Sequence, residues 1–482
     1  MTTDLADLQP APLWHYFLAL SQIPRASKQE AVAAEWVAEQ GRALGLTVER
    51  DGVGNVLIRK PASPGFAHRP VVAMQAHVDM VCEQNEGTNH DFTVDPIRVR
   101  REGDLLRATG TTLGADDGIG VAAGLAVLAA KDLVHPPIEL LITIDEETGL
   151  TGANELRSGW LAGKYLLNLD SEEEGHVTIG CAGGVDTEAF RVVTWEPVPA
   201  GSVALRVKVH GAKGGHSGGD IHLGRANAIK VLAQVLGAAG VPFRVASVAG
   251  GNKRNAIPRE AVAVITVAAA DEAALRARVA EQAAVWSATF GAFDPGVTAS
   301  VEPGAAERVA SEGDGKALVN LLMALPHGVE QMSPAIPGLV QTSTNLGVVR
   351  TEAGFEVNLL SRSSIEANKD ALADRIDAAC ALAGFSTQRV GGYPGWKPEP
   401  GAWLVTVIAE AWKAQSGQEI DVMAIHAGLE CGLIGEKYPG MEMASFGPDV
   451  RDAHTPEENL SISSTQRFWS LLVDVLERLA KG

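Results

Sequence analysis

The stretch Val71–Asp79, VVAMQAHVD, opens as an apolar run with β-branched residues and closes on His77 and Asp79. Such a run reads as a buried strand. Residues two apart on a strand point to the same side, so the imidazole and the carboxylate lie together at the strand end. That pairing suits a metal ligand and the carboxylate that orients it. Taken alone, it reads equally well as a histidine hydrogen-bonded to an aspartate. Downstream, TTLGADDGIGVAAGLAVLAAKD is a Gly-rich turn leading into an Ala-rich helix from about 117 to 131. PIELLITIDEETG and YLLNLDSEEEG are apolar strands that end in acid. Strands alternating with helices imply a mostly parallel, helix-covered α/β sheet, with its chemistry beyond the carboxyl ends of the strands.

Working outward, residues 12–45 carry apolar residues at helical spacing, and Ser27 with Glu30 forms a capping-box pattern. The texture changes at about 186. SVALRVKVHG is an alternating strand, followed by the Gly-rich loop AKGGHSGGDIHLG and a helix. A second run of strands and the helix ANKDALADRIDAACALAG follow, so 186–395 reads as two loosely duplicated sheet-plus-helix lobes. GGYPGWKPEPG is a Pro/Gly-rich connector back. The expected organisation is one α/β domain from 1–185 and 396–482, with an α+β domain, 186–395, inserted into it.

A chain of 482 residues is long enough for two or three domains, each with a real core. Hydrophobic residues at 46% and charged residues at 21% are those of a soluble globular protein. A formal charge of −19 argues against nucleic acid and anionic membranes as partners. No leader pattern opens the sequence, and no run of about 18 apolar residues marks a membrane span. The four cysteines are scattered, which indicates neither a thiolate zinc site nor a disulfide framework and fits a cytoplasmic location.

Five metal-capable residues fall at predicted strand ends or adjoining turns: His77, Asp116, Glu147, Asp170 and His454. Each alone has a plainer reading. Asp116 and Asp117 suit helix caps, Glu146 with Glu147 and the run after Asp170 suit solvated acid, and His454 precedes TPEE, which resembles a first helical turn. Five such coincidences are less economical than one shared site. Two imidazoles and three carboxylates without thiolate suit zinc, cobalt or manganese. With one carboxylate shared, two ions would each receive three protein ligands and leave room for a water or hydroxide between them.

HVDM, GADDG, EETG, NLDSEEEG and AHTPEE, in that order, resemble the metal motifs of the M20 metallopeptidases, from about residue 10 to 480. KGGHSGGDIHLGRANAIK, GGNKRNAIPRE and IHAGLECG are similar to the aminoacyl-histidine (Xaa-His) dipeptidase branch. The resemblance implies a catalytic domain of zinc-peptidase type with a lid domain inserted into it. It implies two divalent ions per chain, zinc first, with cobalt or manganese as alternatives. His77 and His454 would each bind one ion, Asp116 would bridge, Glu147 and Asp170 would be the terminal carboxylates, and Asp79 would hold the His77 ring. Glu146 would be the general base, the two glutamates being open to exchange because neighbours on a regular strand face opposite ways. Many M20 members carry Lys where this chain has Gly118.

The resemblance further implies that His216, in the Gly-rich loop, reaches the scissile carbonyl oxygen, often from the partner subunit of a homodimer. Asn255 and Arg362 suit contacts to substrate carboxylate or carbonyl, and His426 suits substrate positioning; all three read equally as structural residues. The implied activity is hydrolysis of short peptides, Xaa-His dipeptides such as carnosine included. Another M20 specificity (tripeptidase or N-acyl amino-acid deacylase) is the alternative within enzymes, and a non-catalytic binding protein is the alternative outside them.

Overall fold

All six residues of the strand Val72–His77 are buried. Apolar side chains on both faces of a strand need cover on both sides, which places it inside a sheet. The computed structural model of the chain describes residues 5–482 and shows that sheet to have eight strands. Their order is Thr47–Arg50, Val56–Lys60, Ile138–Thr143, Val72–His77, Tyr165–Asn168, Glu442–Ser445, His176–Cys181 and Asp421–Ile425. Ile138–Thr143, Val72–His77, Tyr165–Asn168 and Glu442–Ser445 run parallel. The outer pairings whose sense is determined are antiparallel. The sheet is therefore mixed, with a parallel centre, where the sequence reading has it mostly parallel. Short outer strands carry the same alternating signal whichever way they run, so their direction is set by connection length alone.

Register aligns the carboxyl ends. Val72 pairs with Ile138 and His77 with Thr143, while Gln75 pairs with Asn168, which pairs in turn with Ser445. The segments leaving these ends carry Asp79, Asp145–Glu147, Asp170 and His454. The helix Ala115–Ala129 follows the paired aspartates and packs on Val72–His77. Its small residues let it lie close: a Cβ on Gly124 would come within 2.5 Å of Leu140 Cδ1.

Contacts divide the chain into two units. One contains the residues up to Gly180, Pro398–Ala424 and Leu429–Gly482; the other contains Cys181–Lys397 and Ile425–Gly428. The four residues Ile425–Gly428, placed by the sequence reading with the metal-binding domain, go with the inserted unit, where His426 Nε2 meets Ser343 Oγ at 2.7 Å. The two lobes read from the sequence are the halves of one antiparallel sheet, joined through the Gly250–Val349 pair. Among the described residues no helix is long and apolar enough to cross a membrane.

Two local readings differ from the structure. Residues 12–45 are two helices, Ala11–Leu20 and Ala31–Ala43, and Ser27 caps neither; its hydroxyl donates to Asp79 Oδ2 at 2.7 Å. Thr455–Glu458 is a turn, and the last helix begins only at Ile462.

Gly124→Val should overpack the helix–sheet contact and cost about 1–3 kcal/mol. A lower urea midpoint is the expected result; an unchanged midpoint would contradict the close approach.

Candidate metal centre

The strand ends bring the five metal-capable residues of the sequence reading together. Asp116 presents one oxygen to each imidazole: Oδ1 lies 3.0 Å from His77 Nε2 and Oδ2 lies 3.0 Å from His454 Nε2. Asp170 Oδ1 is 3.4 Å from His77 Nε2, and Glu147 Oε1 is 3.0 Å from His454 Nε2. Three three-residue groups result: His77–Asp116–Asp170 and Asp116–Glu147–His454 share one carboxylate, and His77–Glu146–Glu147 lies beside them. Donors bound tetrahedrally at zinc distances stand about 3.3 Å apart, so the observed spacings suit an ion in each of the two groups that share Asp116.

Local backbone explains how the side chains converge. The plainer reading of the paired aspartates as helix caps holds for one of them only: Asp117 Oδ1 accepts the Gly120 N–H at 3.0 Å, while Asp116 has non-helical backbone angles and faces the histidines. Glu146 and Glu147 do not continue the strand. Asp145 has φ of 47°, and Glu146–Gly149 forms a single helical turn, which frees adjacent residues from opposite faces. His454 also has positive φ, 64°. Uncommon backbone at non-glycine residues clusters where geometry is over-determined by function.

Asp79 is the hub behind this arrangement. It is fully buried, stands 3.4 Å from His77 Nδ1, and accepts the backbone N–H groups of Glu146 (3.0 Å) and Glu147 (3.3 Å). One carboxylate thus fixes both the His77 ring and the Glu146–Glu147 turn.

The inserted unit carries a second cluster. Arg362, only 5% exposed, donates from Nη1 to Tyr393 OH at 2.8 Å and from Nε to Ser217 Oγ at 3.4 Å. Ser343, which holds His426, is its cross-strand partner. His216 follows on the loop beside Ser217. Asn255 is exposed, and its backbone carbonyl accepts the Ser217 N–H at 2.9 Å.

Residues 73–478 match Peptidase family M20/M25/M40. The chain belongs to that family. It is 40% identical to the cytosol non-specific dipeptidase of Escherichia coli (strain K12), with 99% of each chain aligned. Its fold superposes on the aminoacylhistidine dipeptidase of Vibrio alginolyticus with a TM-score of 0.94 at 41% identity, covering 99% of this chain and 98% of the other. The aminopeptidase PepT of Bacillus cereus shares the fold more distantly, with a TM-score of 0.58 at 17% identity over 98% and 99% of the two chains.

In this M20 peptidase the charges are unbalanced in the way a cation site requires. Hydrogen bonds to the Asp116 and Glu147 carboxylates raise the His454 imidazole to about 11. Burial lowers His77, but Asp170, Asp116 and Asp79 outweigh it and hold the ring well above its usual value. Burial pushes Asp170 up to about 7 and Glu146 well above the carboxylate range. Burial also raises Asp79, but His77 and the backbone donors bring it down to about 2. Two imidazoles face the carboxyl groups of Asp79, Asp116, Glu146, Glu147 and Asp170, a surplus of acidic groups whose ionised forms divalent ions would neutralise.

The sequence reading misses the supporting role of three residues. Glu458, from the misread TPEE turn, is buried and accepts the N–H groups of Leu113 (2.7 Å), Gly114 (3.0 Å) and Ala115 (2.7 Å), holding the loop that presents Asp116. Arg25, in the break between the first two helices, donates to the carbonyls of Val78 (2.9 Å), Asp79 (3.0 Å) and Gly114 (2.5 Å). Its guanidinium also accounts for Gly118: a Cβ there would lie 2.7 Å from Arg25 Nη2. Ser27 is the third, through Asp79. Each acts through tertiary contacts far along the chain, which spacing does not reveal.

Zinc added to metal-free protein at pH 7 must displace the proton of His454, and binding should weaken as pH falls and Asp170 protonates. Calorimetry in buffers of different ionisation enthalpy should give different apparent heats. Buffer-independent heats would contradict the protonated state.

Proposed function

We propose that this M20 peptidase is a cytoplasmic, homodimeric dipeptidase that uses two divalent ions, zinc first, to hydrolyse unblocked dipeptides, Xaa-His among them. The single observation that carries the reading is the pair of three-residue groups sharing Asp116; Glu146, which also lies beside His77 and Glu147, is assigned to the water rather than to an ion. Likeness over nearly the whole length to two dipeptidases, one named for the cytosol, supports the substrate class and the compartment.

His77, Asp170 and one oxygen of Asp116 would hold one ion; His454, Glu147 and the other oxygen would hold its neighbour. Bound there, the ions would polarise the scissile carbonyl and acidify an attacking water. Glu146 takes the proton of that water and delivers it to the amide nitrogen as the C–N bond breaks, leaving a free amine and a carboxylic acid, whose proton then passes to the amine or to solvent. Burial favours the first half of this role, because a carboxylate whose pKa is raised is the stronger base toward that water. Asp79 keeps the His77 ring and the Glu146 backbone in register throughout.

The inserted unit supplies substrate recognition. Arg362 is buried with hydroxyl partners, Tyr393 and Ser217, which leaves its charge for a substrate carboxylate. His216 donates to the carbonyl oxygen as negative charge develops there. His426, held by Ser343, and Asn255 complete the wall of this cluster.

Glu146→Gln should keep two metals per chain and lose roughly 10²–10⁴-fold in turnover. Loss of a metal in that variant, with Glu147→Gln keeping both, would exchange the two roles. On a panel of Xaa-His, other dipeptides, tripeptides and acyl-amino acids, dipeptides should be cleaved fastest, with activity lost to chelator and restored by zinc, cobalt or manganese. Full turnover in metal-free protein, or a preference for tripeptides, would overturn the assignment.

A further inference from the structure

The loop Lys213–Gly219 and its neighbours are built around one ring nitrogen. His216 Nδ1 accepts two backbone N–H groups, from Gly218 at 3.3 Å and Gly219 at 3.1 Å. An imidazole nitrogen that accepts carries no proton, so in the neutral ring the proton sits on Nε2. Partial burial, together with the nearby Arg362 charge, lowers the His216 pKa despite Asp220.

What aims those two N–H groups is a closed turn. Asp220 Oδ2 accepts the His216 N–H at 2.9 Å, and the Asp220 N–H donates back to the His216 carbonyl at 3.0 Å. Arg225 Nη2 stands 3.4 Å from the other Asp220 oxygen, and Arg225 Nη1 donates to the Gly214 carbonyl at 2.6 Å. On the far side, Ser217 N–H binds the Asn255 carbonyl and His216 pairs with Ala256. The glycines follow from this packing. Gly215 has φ of 144°, and a Cβ there would meet Arg225 Nη1 at 2.5 Å and Asp220 Oδ2 at 2.6 Å. A Cβ on Gly218 would meet the His426 carbonyl at 2.3 Å.

We infer that Asp220 and Arg225 are positioning residues: through the 216–220 turn they lock His216 in the neutral tautomer that carries its proton on Nε2, ready to donate. The inference rests on the proposed role of His216 as donor to the substrate carbonyl. Neither residue touches substrate. The ion pair closes the turn, the turn sets two backbone donors on Nδ1, and the occupied Nδ1 fixes where the proton is. A ring free to exchange tautomers would present an acceptor to the carbonyl oxygen part of the time and would repel it.

The test is long-range ¹H–¹⁵N correlation of the histidine rings in the full metal-loaded chain near pH 7, with His216→Ala identifying the resonances. Wild type should show one His216 species, protonated on Nε2. Asp220→Ala should give mixed tautomers and lower kcat by roughly 10–100-fold, the size typical of losing such a supporting contact, with KM and metal content unchanged. Asp220→Asn, which keeps an acceptor oxygen for the His216 N–H, should retain the single tautomer and most of kcat. Should Asp220→Ala fail to fold, Arg225→Gln is read in the same way. A wild-type ring protonated on Nδ1, a mixture in wild type, or a single Nε2–H species persisting in Asp220→Ala and Arg225→Gln would overturn the inference. A locked tautomer together with unchanged kcat in His216→Ala would overturn the donor role of His216 and leave the lock standing.

Discussion

Everything in the metal-binding unit is arranged so that the two oxygens of Asp116 can face two imidazoles at once. One oxygen stands 3.0 Å from His77 and the other 3.0 Å from His454, residues that lie far apart in sequence. The backbone of Asp116 leaves the helical path here, immediately before the regular part of the helix that ends at Ala129. The parallel strands supply His77 and Asp170 from one edge, the helical turn at Glu146–Gly149 supplies Glu147, and the 450s loop returns to supply His454. The sheet register is what makes these ends meet.

Holding carboxylates this close is unfavourable, and the surrounding polar groups show how the chain manages it. Asp79 is tied by His77, Ser27 and two backbone N–H groups. Glu458 is tied by three backbone N–H groups of the 113–115 loop. Arg25 joins the two segments by binding carbonyls at 78, 79 and 114. Beneath them, Glu430 is fully buried and accepts from Gln75 at 2.6 Å and Thr143 at 2.7 Å, linking the strand of His77 to its neighbour. The buried carboxyl groups of Asp79, Glu458 and Glu430 are tolerated here because each has hydrogen-bond partners of fixed geometry. Removing one member would leave another buried and unpaired, so these supports are expected to be less forgiving than surface ion pairs.

Much of this was legible in the sequence, for identifiable reasons. Fully apolar runs ending in acid announce buried parallel strands, and although each of HVDM, GADDG, EETG, NLDSEEEG and AHTPEE has a plain structural reading alone, their coincidence at strand ends and turns and their order along the chain point to one site. The paired aspartates could not be divided from sequence alone, since both suit a cap; the structure gives the cap to Asp117. The direction of the outer strands was not legible, because alternation is the same either way. Ser27 misled because a capping-box pattern and a hydrogen-bond donor to Asp79 use the same residue type. Glu458 misled because acids after Thr-Pro look like a first helical turn. The assignment of Ile425–Gly428 was beyond reach, since four residues carry no periodicity and their partner, Ser343, is supplied by a distant strand.

In the proposed mechanism Asp116 would be shared between two ions, each completed by one histidine and one further carboxylate. Anomalous diffraction at the zinc edge, from crystals of the full chain grown with zinc, tests it directly. The account predicts two peaks about 3.5–4 Å apart, one against His77, Asp170 and Asp116 Oδ1, the other against His454, Glu147 and Asp116 Oδ2. A single peak, or two peaks without Asp116 between them, would contradict it.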